Sequence, residues 1–243
     1  MDISERTLQL KTDIDEVYEA GKKAEHNEFW NNTDVDGQYA FNGTAWNRNN
    51  FKPNRDIPVT IGTFFRHSWQ NDAYDLAKQL EDLGIKLIFT SGSDYQTFRY
   101  SWFTRLPACD FSLCEGAFDT VFHGMARLVT IDKIIFPEEG KITAFTNPFV
   151  NCSRLANINE VKGVIDKSIS FSECPLSVAS MKNIISCLKD FSGTDGEYSC
   201  TLTLKSSAFS ALEAEGATAE YNGEACTWAE LIDNKKWNLT LAS

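Results

Sequence analysis

The sequence predicts a protein of mixed α/β class, in which a short solenoid of repeats lies between an N-terminal helix and a C-terminal cap of helices and strands. Three observations support this prediction. Residues 1–30 have the apolar spacing of a helix, aromatic units recur through residues 84–190, and helical and strand patterns alternate in residues 191–243. The chain has 243 residues, 42% of them hydrophobic, which is enough to bury a sizeable core.

Residues 1–30 are predicted to form a helix, because apolar or small residues recur at alternating intervals of four and three. These residues are Ile3, Thr7, Leu10, Ile14, Val17, Gly21 and Ala24. Two interpretations stay open. The row of apolar residues packs on the chain's own domain, or it joins subunits as the seam of a short coiled coil. In the second interpretation, the oligomerisation residues are Ile3, Leu10, Ile14 and Val17.

Residues 31–83 are predicted to form an N-terminal cap and linker. The stretch 31–60 is rich in Asn, Asp, Gly and Pro, which is typical of turns. Residues 73–83 place their alanines and leucines on one helical face, and Gly84 follows where a glycine commonly ends a helix. Residues 85–89 are then predicted to form a strand.

Residues 84–190 are predicted to be a repeat array, because an aromatic residue followed by an Arg-Leu pair occurs three times. The aromatic anchors are Phe98, Phe122 and Phe149, and the leucines of the pairs are Leu106, Leu128 and Leu155. The leucines are 128 − 106 = 22 and 155 − 128 = 27 residues apart, and each begins an L-x-x-I or L-x-x-C sequence. One such unit cannot close a core alone, so we expect the units to stack their phenylalanines, leucines and isoleucines in internal ladders. Coincidental recurrence within an irregular α+β domain is the alternative.

Residues 191–243 are predicted to cap the open end of the array. Helical spacing at the end of the array, in residues 178–188, leads into this cap. Strands are expected at 200–204 and 237–241, where apolar and polar residues alternate, and short helices at 206–212 and 227–232.

The repeats resemble the leucine-rich repeats of the BspA-like bacterial surface family. The family's F-x-N-C-x-x-L-x-x-I sequence stands here as Phe149, Asn151, Cys152, Leu155 and Ile158. Only one unit has the full motif. In the first unit, we expect Trp102 and Phe103 to take the places of the asparagine and the cysteine. The resemblance implies a short leucine-rich-repeat solenoid with an N-terminal helix and an α/β C-terminal cap.

The chain also resembles leucine-rich-repeat proteins encoded beside tail genes in phages and prophages of gut bacteria, which carry stretches like 17–30 and 46–53. This resemblance implies a non-enzymatic virion protein, associated with the tail or baseplate, made in the host cytoplasm. Its implied partners are a host cell-surface glycan or protein and other virion proteins. A homo-oligomer, with a trimer favoured, would form through the N-terminal helix. A bacterial surface adhesin or protein–protein interaction scaffold is the alternative.

Charge and composition argue against several function classes. The formal charge of −11 disfavours general binding to nucleic acid and docking on anionic membranes. No apolar run is long enough to span a membrane, and the first residues lack the apolar stretch of a signal peptide. The seven cysteines contain no C-x-x-C pair, so we predict buried free thiols rather than a zinc site or a disulfide framework.

The sequence predicts no catalytic site, cofactor or metal. Its three histidines have no partner at metal-ligand spacing, and no nucleophile elbow or phosphate-binding loop is present. The remote alternative is a carbohydrate-active enzyme that takes two carboxylates from a small group of loop residues. Those candidates are Asp132, Glu138, Glu139 and Glu160.

For binding, the candidates are aromatic residues in two similar motifs, because aromatic rings supply contact area at low entropic cost. We expect four of them to be exposed: Trp69, Tyr100, Trp102 and Phe103.

Overall fold

The structure is a computed structural model that describes residues 57–59, 74–84, 86–89, 96–193, 200–216 and 218–243. In this part of the chain the protein is of mixed α/β class, as predicted. The predicted helix at 1–30, with its residues Ile3, Leu10, Ile14 and Val17, lies outside the described residues, and so does Trp69.

The first described elements precede the repeats. They are β1 (Ile57–Val59), β2 (Tyr74–Asp75), α1 (Leu76–Leu83) and β3 (Leu87–Phe89), and β1 pairs with β3 in parallel. The side chain of Asp75 caps α1 by accepting a hydrogen bond from the amide of Lys78 at 2.7 Å. Gly84 ends α1 in the left-handed conformation, at φ 65°, and donates to the carbonyl of Glu81 at 3.0 Å. The predicted helix and its terminal glycine are therefore confirmed, although the helix begins at Leu76 rather than at residue 73.

Parallel strands form the middle of the chain. They are β4 (Phe103–Asp110), β5 (Gly116–Asp119), β6 (Thr130–Ile135), β7 (Ile142–Thr146), β8 (Asn157–Ile158) and β9 (Val161–Lys162). One sheet has the order β2-β4-β6-β8, with β9 also on β6, and β5 pairs separately with β7. Leu106, Ile131 and Ile158 are in register across β4, β6 and β8, and all three are buried. Each strand therefore places an aliphatic residue against its equivalent in the next.

Four phenylalanines stack behind these strands and form what we call the ring ladder: Phe98, Phe122, Phe149 and Phe171. Their successive ring centroids are 5.8, 5.2 and 4.5 Å apart, and the rings are close to parallel. Each of the four is at most 1% exposed. A tight turn follows each ring, because the amide three residues later donates back to the phenylalanine carbonyl at 3.0–3.2 Å. The three predicted anchors are thus confirmed as buried, stacked equivalents.

The predicted equivalence of the three Arg-Leu pairs is wrong. Arg105 pairs with Thr130 and Leu106 with Ile131, so Leu106 matches Ile131 and not Leu128. Phe103 lies two residues before Arg105 and is level with Leu128, in the core. The reason is turn length: Phe103 is the fifth residue after Phe98, whereas Leu128 is the sixth residue after Phe122.

The places of asparagine and cysteine in the first unit must be corrected as well. Tyr100 occupies the position of Asn151, since both follow a ladder phenylalanine by two residues and both have φ of 59°. Ser101 occupies the position of Cys152, since the amide of each donates to the carbonyl of its ladder phenylalanine, at 3.0 and 3.2 Å. Trp102 and Phe103, which were expected there, come after this turn.

The C-terminal part continues with parallel strands and adds helices. Its elements are β10 (Ile169–Phe171), α2 (Val178–Ser186), β11 (Cys200–Lys205), α3 (Ser206–Glu213), β12 (Ala219–Tyr221), β13 (Glu224–Cys226), α4 (Trp228–Asn234) and β14 (Trp237–Ala242). The strands β10, β11 and β14 form one parallel sheet in that order, and β12 and β13 form a hairpin. Thr227 and Glu230 cap the start of α4 reciprocally. All the helices and strands predicted here are confirmed within a few residues.

All seven cysteines are free thiols, as predicted. Six are buried and Cys187 is partly buried. Burial raises the pKa of Cys152 to about 12, so its thiol stays protonated and packs as a small apolar group.

Candidate recognition surface

The turns that follow the ring ladder form a continuous row on one side of the stacked units. We call this surface the turn edge and define it by six residues: Arg99, Tyr100, Trp102, His123, Arg127 and Arg154. Backbone hydrogen bonds between neighbouring turns hold the row in place. The amide of Tyr100 donates to the carbonyl of His123, and the amide of Gly124 donates to the carbonyl of Val150, both at 2.8 Å. The turn edge is therefore a fixed surface rather than a set of independent loops.

The first three turns have the same backbone shape but not the same residue at their left-handed position. Tyr100, Gly124 and Asn151 occupy equivalent positions, with φ of 59°, 76° and 59°. Glycine and asparagine adopt this conformation readily, whereas for tyrosine it costs about 1–2 kcal/mol. The third turn is joined to the fourth differently, since the amide of Asn151 donates to the carboxylate Oε2 of Glu173 at 2.6 Å. A side chain thus takes the role that a backbone carbonyl has in the earlier turns.

The side chain of Tyr100 is held by residues of its own turn and of the next. A Cβ added at Gly124 would collide with Cδ1 of Tyr100, so the glycine makes room for the ring. The Tyr100 hydroxyl is 3.2 Å from Nε2 of His123, and the two rings meet edge to face at 5.2 Å. The guanidinium of Arg99 lies 5.1 Å from the centre of the Tyr100 ring.

The surroundings of His123 favour its uncharged form. Burial, together with the positive charge of Arg99, lowers the pKa of the imidazole below 6.5. The Nε atom of Arg99 is buried and has no hydrogen-bond partner among the described residues, although its Nη1 donates to Gln96 at 3.2 Å. The neighbourhood of Tyr100 therefore holds a fixed positive charge beside a neutral histidine.

Trp102 and Arg127 form the second stacked pair of the turn edge. The Arg127 guanidinium lies 4.0 Å from the centre of the Trp102 ring, and both residues are half-buried. One unit further along, Arg154 is exposed. Among the described residues, Arg105 forms ion pairs with carboxylates, whereas Arg99, Arg127 and Arg154 form none. Three guanidinium groups that have no ion pair with any described residue therefore share one edge of an acidic chain.

A second polar surface crosses the sheet of β2, β4, β6 and β9. Arg105 bonds to both carboxylate oxygens of Asp132, at 2.7 and 2.9 Å, and lies 3.7 Å from Asp75. Next to it, Glu160 accepts from Lys133 and Lys162 at 3.1 and 2.8 Å. We call these six residues the charged strand face. Each positive charge on it is matched by a carboxylate, and such exposed pairs contribute little net stability.

A groove of about 590 Å³ lies beside the charged strand face. Side chains of α1, including Leu80, line it together with Pro107, Ala108 and Ile135 from β4 and β6.

The loop carboxylates considered for glycoside hydrolysis are mostly ion-paired. Asp132 is bound by Arg105, Glu160 by Lys133 and Lys162, and Glu139 lies 2.7 Å from Lys189. The hydrogen bonds from Lys162 and Lys133 lower the pKa of Glu160, which keeps it ionised. A general acid in glycoside hydrolysis requires the opposite shift, because it must hold a proton near neutral pH.

The predicted binding aromatics differ in position and exposure. Tyr100 and Trp102 are half-buried and lie together on the turn edge. The expectation that Phe103 is exposed is wrong, because Phe103 is 2% exposed and begins β4 with its side chain in the core. Sequence reasoning missed Arg99, His123 and Arg127 as members of this surface. They could have been found by counting from the ladder phenylalanines, since Arg99 and His123 each directly follow one.

In the described ranges, no group of three or more His, Cys, Asp or Glu side chains is arranged to hold a metal ion. In the same ranges, no helix combines the length and the apolar character needed to cross a bilayer.

Comparison with known proteins identifies no relative. No protein-family model matches the chain, and neither a curated protein nor a solved structure matches it.

Proposed function

We propose that the chain is a short leucine-rich-repeat solenoid with an N-terminal helix and an α/β C-terminal cap, and that it works as a non-enzymatic recognition module. In-register parallel strands, the ring ladder and the repeated turn after each ladder phenylalanine support the solenoid. Solenoids of this kind present rows of side chains at fixed spacing, which suits binding to extended or repetitive surfaces.

The proposed setting is the tail or baseplate of a phage particle, where the module contacts the surface of the host cell. The Phe149–Ile158 motif and the stretches 17–30 and 46–53 support this setting, through their resemblance to proteins encoded beside phage tail genes. The partners are then a host glycan or protein on one side and other virion proteins on the other.

The observation that carries the binding function is the turn edge. It combines two aromatic rings with three arginines that have no carboxylate partner in the described part of the chain. Tyrosine, tryptophan and arginine are the side chains that most often dominate binding energy at interfaces. The ion-paired state of Asp132 and Glu160 favours binding over hydrolysis, because neither carboxylate is set up to hold a catalytic proton.

We propose that the copies assemble through the N-terminal helix, with a trimer favoured, since several weak sites gain affinity when they act together. Replacing Ile14 and Val17 by aspartate should then give folded monomers, because each substitution places a charge in the seam. Light scattering measures the mass, and far-UV circular dichroism checks the fold. An unchanged mass would reject the coiled coil.

The test of function is binding of the fluorescently labelled full-length chain to a panel of gut bacteria. Saturable binding to particular strains, and competition with phage adsorption to those strains, are expected. No binding to any strain, or hydrolysis of surface glycans by the purified protein, would overturn the proposal. Mass spectrometry of purified particles from a producing strain separates a virion protein from a cell-surface adhesin, since an adhesin would be found with the cells and not with the particles.

A further inference from the structure

We infer that the turn edge binds an anionic saccharide, meaning a sugar that carries a carboxylate or a phosphate group. The inference rests on the proposed function, because it names the ligand class of the same surface. Three features of the turn edge lead to it: the backbone of Tyr100, the stacked guanidinium groups, and the contrast with the charged strand face.

The first feature is a tyrosine where neighbouring turns have residues suited to the backbone. Tyr100 has φ of 59°, and the equivalent positions hold Gly124 and Asn151. The turn itself needs no aromatic ring, since its hydrogen bonds form equally well in all three cases. Gly124 also leaves the space that the ring fills. An unfavourable backbone conformation, together with a glycine that makes room for the ring, points to a function for the ring at this position.

The second feature is the way the guanidinium groups are held. Arg127 lies 4.0 Å from the ring centre of Trp102, and Arg99 lies 5.1 Å from that of Tyr100. The Trp102 ring restrains the Arg127 guanidinium, so less entropy is lost when this group binds a two-oxygen anion, whereas Arg99 has its Nε buried and contributes mainly its charge. Carboxylates and phosphates are the groups that fit this planar fork.

An aromatic ring beside a guanidinium group suits the binding of an acidic sugar. A sugar ring offers apolar C–H groups on its face, which pack on an aromatic ring, and an acidic substituent at its rim reaches the guanidinium. The Tyr100 hydroxyl and Nε2 of His123, 3.2 Å apart, add hydrogen-bonding atoms for sugar hydroxyls. Arg127 and Arg154 each follow a ladder phenylalanine by five residues, so neighbouring units each offer one guanidinium group to a polymer.

The third feature is that this charge is local. The chain carries a net charge of −11, which repels polyanions in general. On the charged strand face the lysines and Arg105 are neutralised by Asp132, Asp75 and Glu160. Within the described residues, the turn edge is thus a surface whose arginines form no ion pair with a carboxylate, so their guanidinium groups can pair with an added anion.

The test uses the full-length protein and titration calorimetry with two anionic polymers, a polyuronate and a glycerol-phosphate polymer, which separate the carboxylate from the phosphate source. Neutral dextran and polyglutamate serve as comparison polymers. Arg127→Gln removes one charge from the turn edge, and Lys133→Gln is the matched control on the charged strand face. Tyr100→Asn removes the ring and inserts a residue suited to the left-handed backbone.

We expect binding to at least one of the anionic polymers and to neither comparison polymer. Arg127→Gln should weaken that binding by about tenfold or more, because it removes charge-assisted hydrogen bonds, and Lys133→Gln by less than about twofold. Tyr100→Asn should also weaken binding while the melting temperature stays close to that of the wild type, which separates lost function from lost folding.

Several results would overturn the inference. They are failure of the wild type to bind either anionic polymer, equal losses for Arg127→Gln and Lys133→Gln, and polyglutamate binding as tight as polyuronate binding. If the wild type and Arg127→Gln bind host cells equally well, the ligand assignment fails and the proposed function stands. If the wild type binds an anionic polymer but no bacterial strain, the proposed function fails and the ligand assignment stands.

Discussion

Replacing Phe122 by alanine tests whether the ring ladder is the main stabilising feature of the repeats. Phe122 is 0% exposed, and its ring centre lies 5.8 Å from that of Phe98, 5.2 Å from that of Phe149 and 6.1 Å from that of Phe111. A buried phenylalanine replaced by alanine typically costs about 3–5 kcal/mol. We expect about 4–5 kcal/mol here, because the rings on both sides are held in their own turns and cannot close the cavity.

The assay is urea unfolding followed by far-UV circular dichroism. With a slope of about 2–3 kcal/mol/M, a loss of about 4–5 kcal/mol lowers the midpoint by about 1.3–2.5 M. Phe145→Ala is the matched control, since Phe145 is half-buried and meets Phe118 and Phe136 edge to face at 5.5 Å. It should cost about 1–2 kcal/mol. Equal losses for the two variants, or a loss below about 1 kcal/mol for Phe122→Ala, would refute the reasoning.

The remaining predictions concern backbone space, a partly buried lysine and a histidine. Gly163→Ala should be strongly destabilising, because a Cβ there would overlap the carbonyl oxygen of Phe136. Gly140→Ala, at a similar positive φ but in open space, should cost only about 1 kcal/mol. Thermal unfolding of the two variants compares these losses of stability. Lys235→Met should lower stability by about 1–3 kcal/mol in the same assay. The amine of Lys235 donates to three carbonyls at the end of α2, those of Ile185, Ser186 and Leu188, at 2.9–3.2 Å. Burial and Arg99 lower the pKa of His123, so the unfolded chain takes up the proton first as the pH falls, and stability decreases below about pH 6.5. His123→Gln should reduce that decrease between about pH 7.5 and about pH 5.5 in urea titrations, and an unchanged pH profile would contradict the assignment.

Elements with strong local signals could be predicted from the sequence. The helix that ends at Gly84 combines an apolar face with a glycine stop, and both are visible without tertiary information. The stacked phenylalanines could be predicted because a large apolar residue at a recurring position must be buried by its own equivalents. The strand at Cys200–Lys205 alternates buried and half-buried residues, so its period of two identified it.

The register of the first repeat could not be predicted in this way. Three Arg-Leu pairs looked equivalent, but the turn after Phe98 is one residue shorter than the turn after Phe122, and this difference moves Phe103 into the core position of Leu128. A change of one residue in a turn leaves no mark in composition or periodicity.

The surface around Tyr100 was hidden for a related reason. Tyrosine gives no sign of a left-handed backbone, whereas the asparagine and glycine at the equivalent positions do.

Unequal repeat lengths have a consequence for how such a chain can change. Successive ladder phenylalanines are 122 − 98 = 24, 149 − 122 = 27 and 171 − 149 = 22 residues apart, yet their rings stack with centroid distances of 4.5–5.8 Å. Each phenylalanine therefore resets the alignment, and an inserted or deleted residue shifts its own unit without displacing the next. A repeat unit can therefore gain or lose a residue without displacing the ring ladder, and the residue next to each ring can be substituted while the stacked rings stay in place. Diversification of the turn edge can then proceed one substitution at a time.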